Sequence, residues 1–157
     1  MSDNEYEEKG DSGALRLSNV QTGHLKRGSH VIIKGRPCKV DSISTSKPGK
    51  HGSAKCHIIA IDIFTNKKVE EISPSQGSMQ SPEVKRVEYP LHDIDGDFLI
   101  LWDESESCQI EHIRLLEDEI GKKIKEMHDG GLDILVTVLT AMGEEKVIDV
   151  KEDTKKD

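Results

Sequence analysis

The chain has 157 residues, of which 33% are charged, and it contains only three cysteines. No apolar run approaches the roughly 18 residues that a membrane-spanning helix needs, so the sequence predicts no transmembrane segment. The N-terminus is acidic and does not have the basic and apolar pattern of a secretory signal. Cys38, Cys56 and Cys108 are odd in number and widely spaced, which is typical of thiols in a reducing compartment. We therefore expect a soluble, cytoplasmic protein.

The net charge of −8 is distributed unevenly along the chain. Residues 1–14 have one Lys and five acids, a net charge of −4, and residues 15–83 have eleven Lys and Arg against five acids, a net charge of +6. Residues 84–157 have ten bases against twenty acids, a net charge of −10. A basic segment next to an acidic one suggests that the basic half binds a polyanion such as RNA. An uneven scatter of charges without function is the alternative.

The two ends of the chain contain few aliphatic side chains, so we predict disordered tails at residues 1–14 and 152–157. In the first half, a long polar segment at residues 44–55 lies between two predicted strands and is expected to be a loop. Strands at this spacing are typical of a small barrel or a sandwich. The predicted strands are 30–33, 38–43, 56–64 and 69–72, with turns at 34–37 and 65–68.

Residues 73–83 are rich in Pro, Ser and Gly and have no periodicity, so we predict the domain boundary there. The expected domains are residues 15–83 and residues 84–151. The second domain has three predicted strands, a helix and two more strands, which is the element order of an OB-fold barrel. These elements are strands at 84–89, 98–102 and 109–113, a helix at 117–127, and strands at 132–139 and 147–150. A single larger sandwich is the alternative architecture.

Two motifs are similar to binding sites but fail at required positions. Asp93, Asp95 and Asp97 surround a glycine as in a calcium loop, but the glycine is fourth instead of sixth and no helix precedes it, so we predict a hairpin turn. Gly49-Lys50 lacks the first glycine and the following hydroxyl residue of a phosphate-binding P-loop. No histidine has zinc-ligand spacing, and no nucleophile–base pattern stands out. We therefore predict no metal, no catalytic residue and no enzyme activity.

The segment STSKPGKHGSAK at residues 44–55 has three lysines, a histidine and no acid. Like charges held together repel each other, so such a loop favours a polyanionic partner or abundant solvent. Pro48 and Gly49 predict a type II turn that projects Lys50 from a stiff tip. An ordinary solvated hairpin tip is the alternative.

This loop, with IKGRPCKV before it and IIAIDIFTNKK after it, resembles the hypusine-containing family of eukaryotic translation initiation factor 5A. The similarity continues through nearly the whole chain between the tails, including AMGEEKV near the C-terminus. The resemblance implies an SH3-like barrel followed by an OB-fold domain with one short helix. It also implies a translation factor that is not an enzyme.

By resemblance, Lys50 aligns with the lysine that the family converts to hypusine. In the family, deoxyhypusine synthase transfers an aminobutyl group from spermidine to this lysine, and deoxyhypusine hydroxylase adds one oxygen; no separate cofactor is implied. Family members bind the ribosome near the exit tRNA site, relieve stalling, notably at consecutive prolines, and assist termination. The resemblance therefore implies that modified Lys50 positions peptidyl-tRNA by orientation. The residues expected to contact RNA around it are Lys47, Pro48, Gly49, His51, Gly52 and Lys55.

Two loop residues depart from the usual eukaryotic pattern. Pro48 replaces a threonine and Ser53 replaces a histidine, as in archaeal members, and the second change removes an imidazole from the tip. The acidic N-terminal tail is similar to that of eukaryotic members, so the resemblance implies a eukaryotic member with an unusual loop. The oligomeric state stays open, with a homodimer as one alternative.

Two other functions fit parts of the sequence. A fungal relative of the family that lacks the modified lysine builds self-assembled cores of organelles that plug septal pores, but Lys50 within an intact loop argues against this role. A generic single-strand-binding OB module would need base-stacking aromatic residues. The chain has five aromatic residues, none of them in the basic loop.

Overall fold

The computed structural model describes residues 17–47 and 54–154. The chain divides into two compact units, and the cut between its two halves falls between Val84 and Lys85. Each unit has its own cluster of buried apolar side chains. No helix among the described residues is long and apolar enough to cross a membrane.

Among its described residues, the first unit is an antiparallel β-structure with a 3-10 helix at Thr22–His24. Its described strands are β1 (Leu17–Gln21), β2 (His30–Ile33), β3 (Arg36–Ser46), β4 (Lys55–Asp62), β5 (Lys68–Pro74) and β6 (Ser78–Pro82). One sheet has the strand order β2-β3-β4-β5, and β1 pairs with β6. This curled arrangement confirms the SH3-like barrel that the resemblance implies.

The core of the first unit follows from alternation along its strands. In β4, Cys56, Ile58 and Ala60 are fully buried, while the residues between them face outward. A strand places successive side chains on opposite faces, so one face of β4 is apolar and the other is partly polar. Val31 of β2 and Val40 of β3 belong to the same buried cluster.

The turn between β2 and β3 is shorter than predicted. It consists of Lys34 and Gly35 alone, whose φ angles are 53° and 78°. Positive φ at both central residues is the geometry of a two-residue type I′ hairpin. Arg36 and Pro37 are therefore already strand residues, with Arg36 opposite Ile33.

Residues 73–83, where we predict the domain boundary, contain regular structure that the sequence does not indicate. Ser78–Pro82 form β6, which pairs along its whole length with β1. Met79 packs against the core of the first unit, and Pro82 is buried. Only two apolar side chains mark this strand, too few to show a period of two among serines and prolines. β1 escapes prediction for the same reason.

The second unit contains five strands and one helix among the described residues. They are β7 (Val84–Asp95), β8 (Phe98–Asp103), β9 (Cys108–Arg114), α1 (Glu119–Asp129), β10 (Ile134–Ala141) and β11 (Glu144–Glu152). The sheet has the order β9-β8-β7-β10-β11. This confirms the OB-fold and its predicted element order. The Asp93–Asp97 segment ends β7 and turns into β8, as predicted for a hairpin.

The C-terminal end of β11 reaches into the predicted tail at 152–157. β11 ends at Glu152, and the Asp153 backbone N–H donates to the Asp133 carbonyl at 2.8 Å. Strand structure therefore continues one residue beyond the predicted end of the second domain. The predicted acidic tail at 1–14 lies outside the described residues.

Helix α1 begins two residues after the predicted start at residue 117, because Asp118 caps its N-terminus. The Asp118 side chain accepts a hydrogen bond from the Gly121 N–H at 2.8 Å, which satisfies one of the free N–H groups of the first turn,. Ile124 is buried in the core of the second unit. A Cβ atom at Gly121 would overlap the carbonyl oxygen of Leu116, so the first turn fits against the preceding chain only with glycine at this position.

We predict that Gly121→Ala lowers the free energy of unfolding of the second unit by about 3 kcal/mol, because the added methyl group displaces the capping turn. Gly130→Ala is the matched control. Gly130 has a negative φ of −79°, and an added Cβ would lie 3.3 Å from the nearest atom. This substitution should therefore lower the free energy of unfolding by no more than about 1 kcal/mol. Urea unfolding followed by the fluorescence of Trp102, the only tryptophan, measures both. Equal losses in the two variants would contradict the steric explanation.

Candidate functional site

The candidate site is the connection between β3 and β4. These strands pair from Cys38 opposite Asp62 to Ser46 opposite Lys55. Residues 44–46 and Lys55 are therefore strand residues, and the connection spans only residues 47–54. The predicted loop at 44–55 is too long, because serine and threonine on an exposed strand face give no apolar alternation.

The structure places two of the predicted site residues. Lys47 and Lys55 are both exposed; Lys47 is the first residue of the connection, and Lys55 is the strand residue that follows it. The other predicted residues lie outside the described part of the chain: Pro48, Gly49, Lys50, His51 and Gly52, together with Ser53. The predicted type II turn and the projection of Lys50 therefore stay predictions.

The paired parts of β3 and β4, from Cys38 opposite Asp62 to Ser46 opposite Lys55, form a stem for the connection. The inner face of this stem is buried. Val40, Cys56 and Ile58 have relative exposures of 1% or less. The Thr45 hydroxyl lies 3.7 Å from the Cys56 sulfur, within hydrogen-bonding distance for sulfur, close to the end of the stem. A bulge between Val40 and Ser42 interrupts the pairing, and such a bulge bends a strand and increases its twist.

The returning side of the connection is held by a contact that the sequence does not predict. The Ser75 N–H donates to the Ala54 carbonyl at 2.9 Å, and the Ser75 carbonyl accepts from the Gly23 N–H at 2.9 Å. The backbone at Ala54 is therefore linked through the turn after β5 to the 3-10 helix. Backbone hydrogen bonds between distant segments leave no residue-type signal, so only the structure can identify Ala54 and Ser75.

The outer face of the stem is polar and less basic than the sequence suggests. Ser42, Ser44 and Ser46 are exposed on β3. No acid occurs between Ser42 and Ala60 in the sequence, but Glu70 of β5 lies beside β4, and its Oε2 is 3.2 Å from His57 Nε2. His57 therefore has an acidic partner, whereas Lys47 and Lys55 are, among the described residues, the exposed lysines nearest to the connection.

The end of the hairpin opposite to the connection is fixed by a buried ion pair. Asp62 is 5% exposed, and its carboxylate accepts hydrogen bonds from Arg36 Nε at 2.8 Å and Nη2 at 3.2 Å. The backbone N–H groups of Phe64 and Thr65 donate to the same carboxylate at 2.9 and 3.1 Å. Burial alone would raise the pKa of Asp62, but the Arg36 and backbone hydrogen bonds outweigh it and lower this pKa from 3.8 to about 2,.

The described residues offer positioned cations but no metal centre. No group of three or more His, Cys, Asp or Glu side chains in residues 17–47 and 54–154 could hold a metal ion. Cys38 and Cys56 are buried and unbonded to each other, and burial, together with the charge of Asp62, raises the pKa of the Cys38 thiol. A buried thiol of raised pKa is a poor nucleophile at neutral pH.

Comparison with known proteins identifies the class. Residues 17–77 match the family described as "Translation initiation factor 5A-like, N-terminal". Residues 83–151 match the family described as "Eukaryotic elongation factor 5A hypusine, DNA-binding OB fold". The fold and these matches together define a two-domain translation factor of the hypusine-containing class.

Relatives that match over nearly their whole length belong to the same family. Eukaryotic translation initiation factor 5A-3 of Arabidopsis thaliana is 46% identical over 155 residues, covering 97% of this chain and 98% of that protein. Eukaryotic translation initiation factor 5A-1 of Saccharomyces cerevisiae is 44% identical over 158 aligned positions that cover all of both chains. The chain belongs to the eukaryotic translation initiation factor 5A family.

A solved structure supports the same assignment. The translation initiation factor 5A family protein from Naegleria fowleri superposes with a TM-score of 0.81 at 40% identity, covering 86% of this chain and 98% of that chain. The relatives are translation factors and not enzymes, which confirms the sequence-based expectation. Membership in the family implies hypusine modification and interaction with the ribosome.

We predict that Asp62→Asn lowers the free energy of unfolding of the first unit by about 2 kcal/mol at pH 7. Since the folded pKa lies below the unfolded one, the carboxylate stabilises the fold fully above about pH 4, and this contribution is lost as the pH falls through about 2,. The difference between the wild-type protein and the variant should therefore shrink over this range.

Asp41→Asn, at an exposed position of β3, is the control and should change stability little,. Urea unfolding followed by circular dichroism at several pH values measures all three proteins. A stability difference for Asp62→Asn that stays constant down to pH 2 would contradict the ionic explanation.

Proposed function

We propose that the protein is a ribosome-binding factor for translation elongation and termination that uses hypusine at Lys50 to position peptidyl-tRNA and relieve stalling, notably at consecutive prolines. The observation that supports this proposal most is the family match across both units. Within that match, Lys50 lies in the connection between β3 and β4. The proposal therefore assigns the family's general role in translation to the side chain of Lys50.

The stem is suited to presenting a side chain at a fixed place. Its inner face is buried, its returning end is hydrogen-bonded at Ala54, and its far end is held by Asp62. A cation at the end of such a hairpin loses less conformational freedom on binding than one on an unsupported loop. Lys47 and Lys55 would contact nucleic-acid phosphates on the two sides of Lys50.

The proposed modification supplies length and a second amine. Deoxyhypusine synthase would transfer the aminobutyl group of spermidine to Lys50 Nζ, with release of the remaining diamine. Deoxyhypusine hydroxylase would then convert one C–H bond of the added arm to C–OH, with dioxygen as the oxidant and a two-electron reductant that converts the second oxygen atom to water. The resulting arm would bind phosphates and sugars at the acceptor end of peptidyl-tRNA near the exit tRNA site. Holding the tRNA in a productive orientation lowers the barrier to peptide transfer without proton transfer by the protein.

The two units would divide this work. We assign the modified lysine to residues 15–83, the domain with a net charge of +6, because that domain suits RNA. Residues 84–151 would supply the OB-fold. The proposal places the factor in the cytoplasm, where translation occurs.

We predict that Lys50→Arg keeps the fold and the charge but loses the stimulation of synthesis through consecutive prolines, by about tenfold or more, because arginine cannot accept the aminobutyl group. A reconstituted translation assay with protein modified by both enzymes measures the effect. Lys55→Arg is the matched control and should keep most of the stimulation, since its role as a phosphate contact needs only charge. Stimulation by Lys50→Arg at the wild-type level would refute the mechanism.

A further inference from the structure

The outer face of β8, in the second unit, has a row of large apolar side chains that the proposed function does not use. Leu99 and Leu101 point into the core and are fully buried. Phe98, Ile100 and Trp102 alternate with them and lie on the opposite face. Phe98 is 38% exposed, and the other two are half-buried.

The neighbouring strands place polar groups beside this row. Asp93 and Asp95 of β7 lie opposite Ile100 and Phe98. Residues directly opposite each other in an antiparallel pair share a face, so both carboxylates border the row. Asp95 is exposed. Asp93 is exposed as well and lies 3.4 Å from His128 of α1.

The aromatic rings on this face already stack with flat cationic or polar groups of the same chain. The guanidinium carbon of Arg114 lies 5.4 Å from the centroid of the Phe98 ring. The His92 and Trp102 rings stack with centroids 5.6 Å apart and planes 11° from parallel. The row therefore offers ring faces and edges of the kind on which a guanidinium packs well.

The charge around the row has one dominant sign. Residues 91–114 contain seven acids and a single base, Arg114. Five of the seven acids lie near the two ends of β8, at residues 95–97 and 103–106. This face corresponds to the second and third strands of an OB-fold, where such domains commonly bind oligonucleotides. A phosphate backbone would meet net repulsion here.

We propose that the outer face of β8 is a docking surface for a cationic, arginine-rich protein segment. Arginine guanidinium groups would pair with the carboxylates of Asp93 and Asp95, and their apolar stems would cover Ile100 and Trp102. Charge complementarity selects this partner over RNA and also over a second copy of the chain, which would present the same acidic face. The inference does not depend on the modification of Lys50.

Trp102, the only tryptophan in the chain, is a reporter within the proposed surface. The full chain is titrated with a short arginine–serine peptide, with a glutamate–serine peptide, and with a short oligouridylate. We predict a saturable change in Trp102 emission with the arginine peptide alone. Anisotropy of a labelled arginine peptide gives the affinity.

The double variant Asp93→Asn/Asp95→Asn should weaken binding of the arginine peptide about fivefold, because both carboxylates lose their charge. The variant Asp133→Asn/Glu152→Gln removes the same charge elsewhere on the second unit and should leave the affinity nearly unchanged. Circular dichroism checks that both variants are folded.

Three results would each overturn the proposal. One is a change in Trp102 emission with oligouridylate and none with the arginine peptide, which would indicate a nucleic-acid face. Another is binding of the peptide without any change at Trp102, which would place it elsewhere. The third is an equal loss of affinity for the arginine peptide in the two double variants, which would show that net charge alone explains the binding.

Discussion

The ion pair between Asp62 and Arg36 fixes the hairpin that presents the candidate site. The buried carboxylate receives two hydrogen bonds from one guanidinium and two from the backbone of the turn that follows. Leaving such a carboxylate without partners would cost several kcal/mol, so the register of β3 against β4 has little freedom. A slip by one residue would turn Cys56 and Ile58 from the core to the solvent.

A fixed register determines where the connection between β3 and β4 begins and ends. The strands pair up to Ser46 and Lys55, and the backbone hydrogen bond between Ser75 and Ala54 holds the returning side. These contacts involve inward-facing side chains and main-chain groups. The outward-facing positions of β3 and β4 are therefore not needed for packing and can be small polar residues and lysines. The first unit thus stabilises the paired strands on both sides of the connection, with Ser46 opposite Lys55 as the last pair.

Much of the fold follows from the sequence, because the strands that matter most have strong patterns. The CHIIAID segment shows the alternation that places Cys56, Ile58 and Ala60 inside. The three strands, helix and two strands of the second unit are separated by clear turns. β6 and the serine-rich end of β3 are missed, because these strands have few apolar side chains and depend on partners distant in the sequence.

The candidate site, unlike the strands, is predicted mainly from the family resemblance and less from residue patterns. Composition indicates only a basic hairpin, and the assignment of Lys50 comes from the resemblance to the family. Neither source predicts that Glu70 lies against His57 or that Ser75 holds Ala54, because both contacts depend on strand pairing. The second unit has the expected OB-fold, but residues 84–157 have a net charge of −10. This charge does not suit the oligonucleotide binding that is common for the fold.

The function proposed for Lys50 requires covalent extension of its side chain. Peptide mass analysis of the protein purified from its own cells, on the peptide that contains Lys47 to Lys55, tests this most directly. We expect that Lys50 has gained one aminobutyl group and one oxygen. Unmodified lysine at this position throughout the native protein would contradict it.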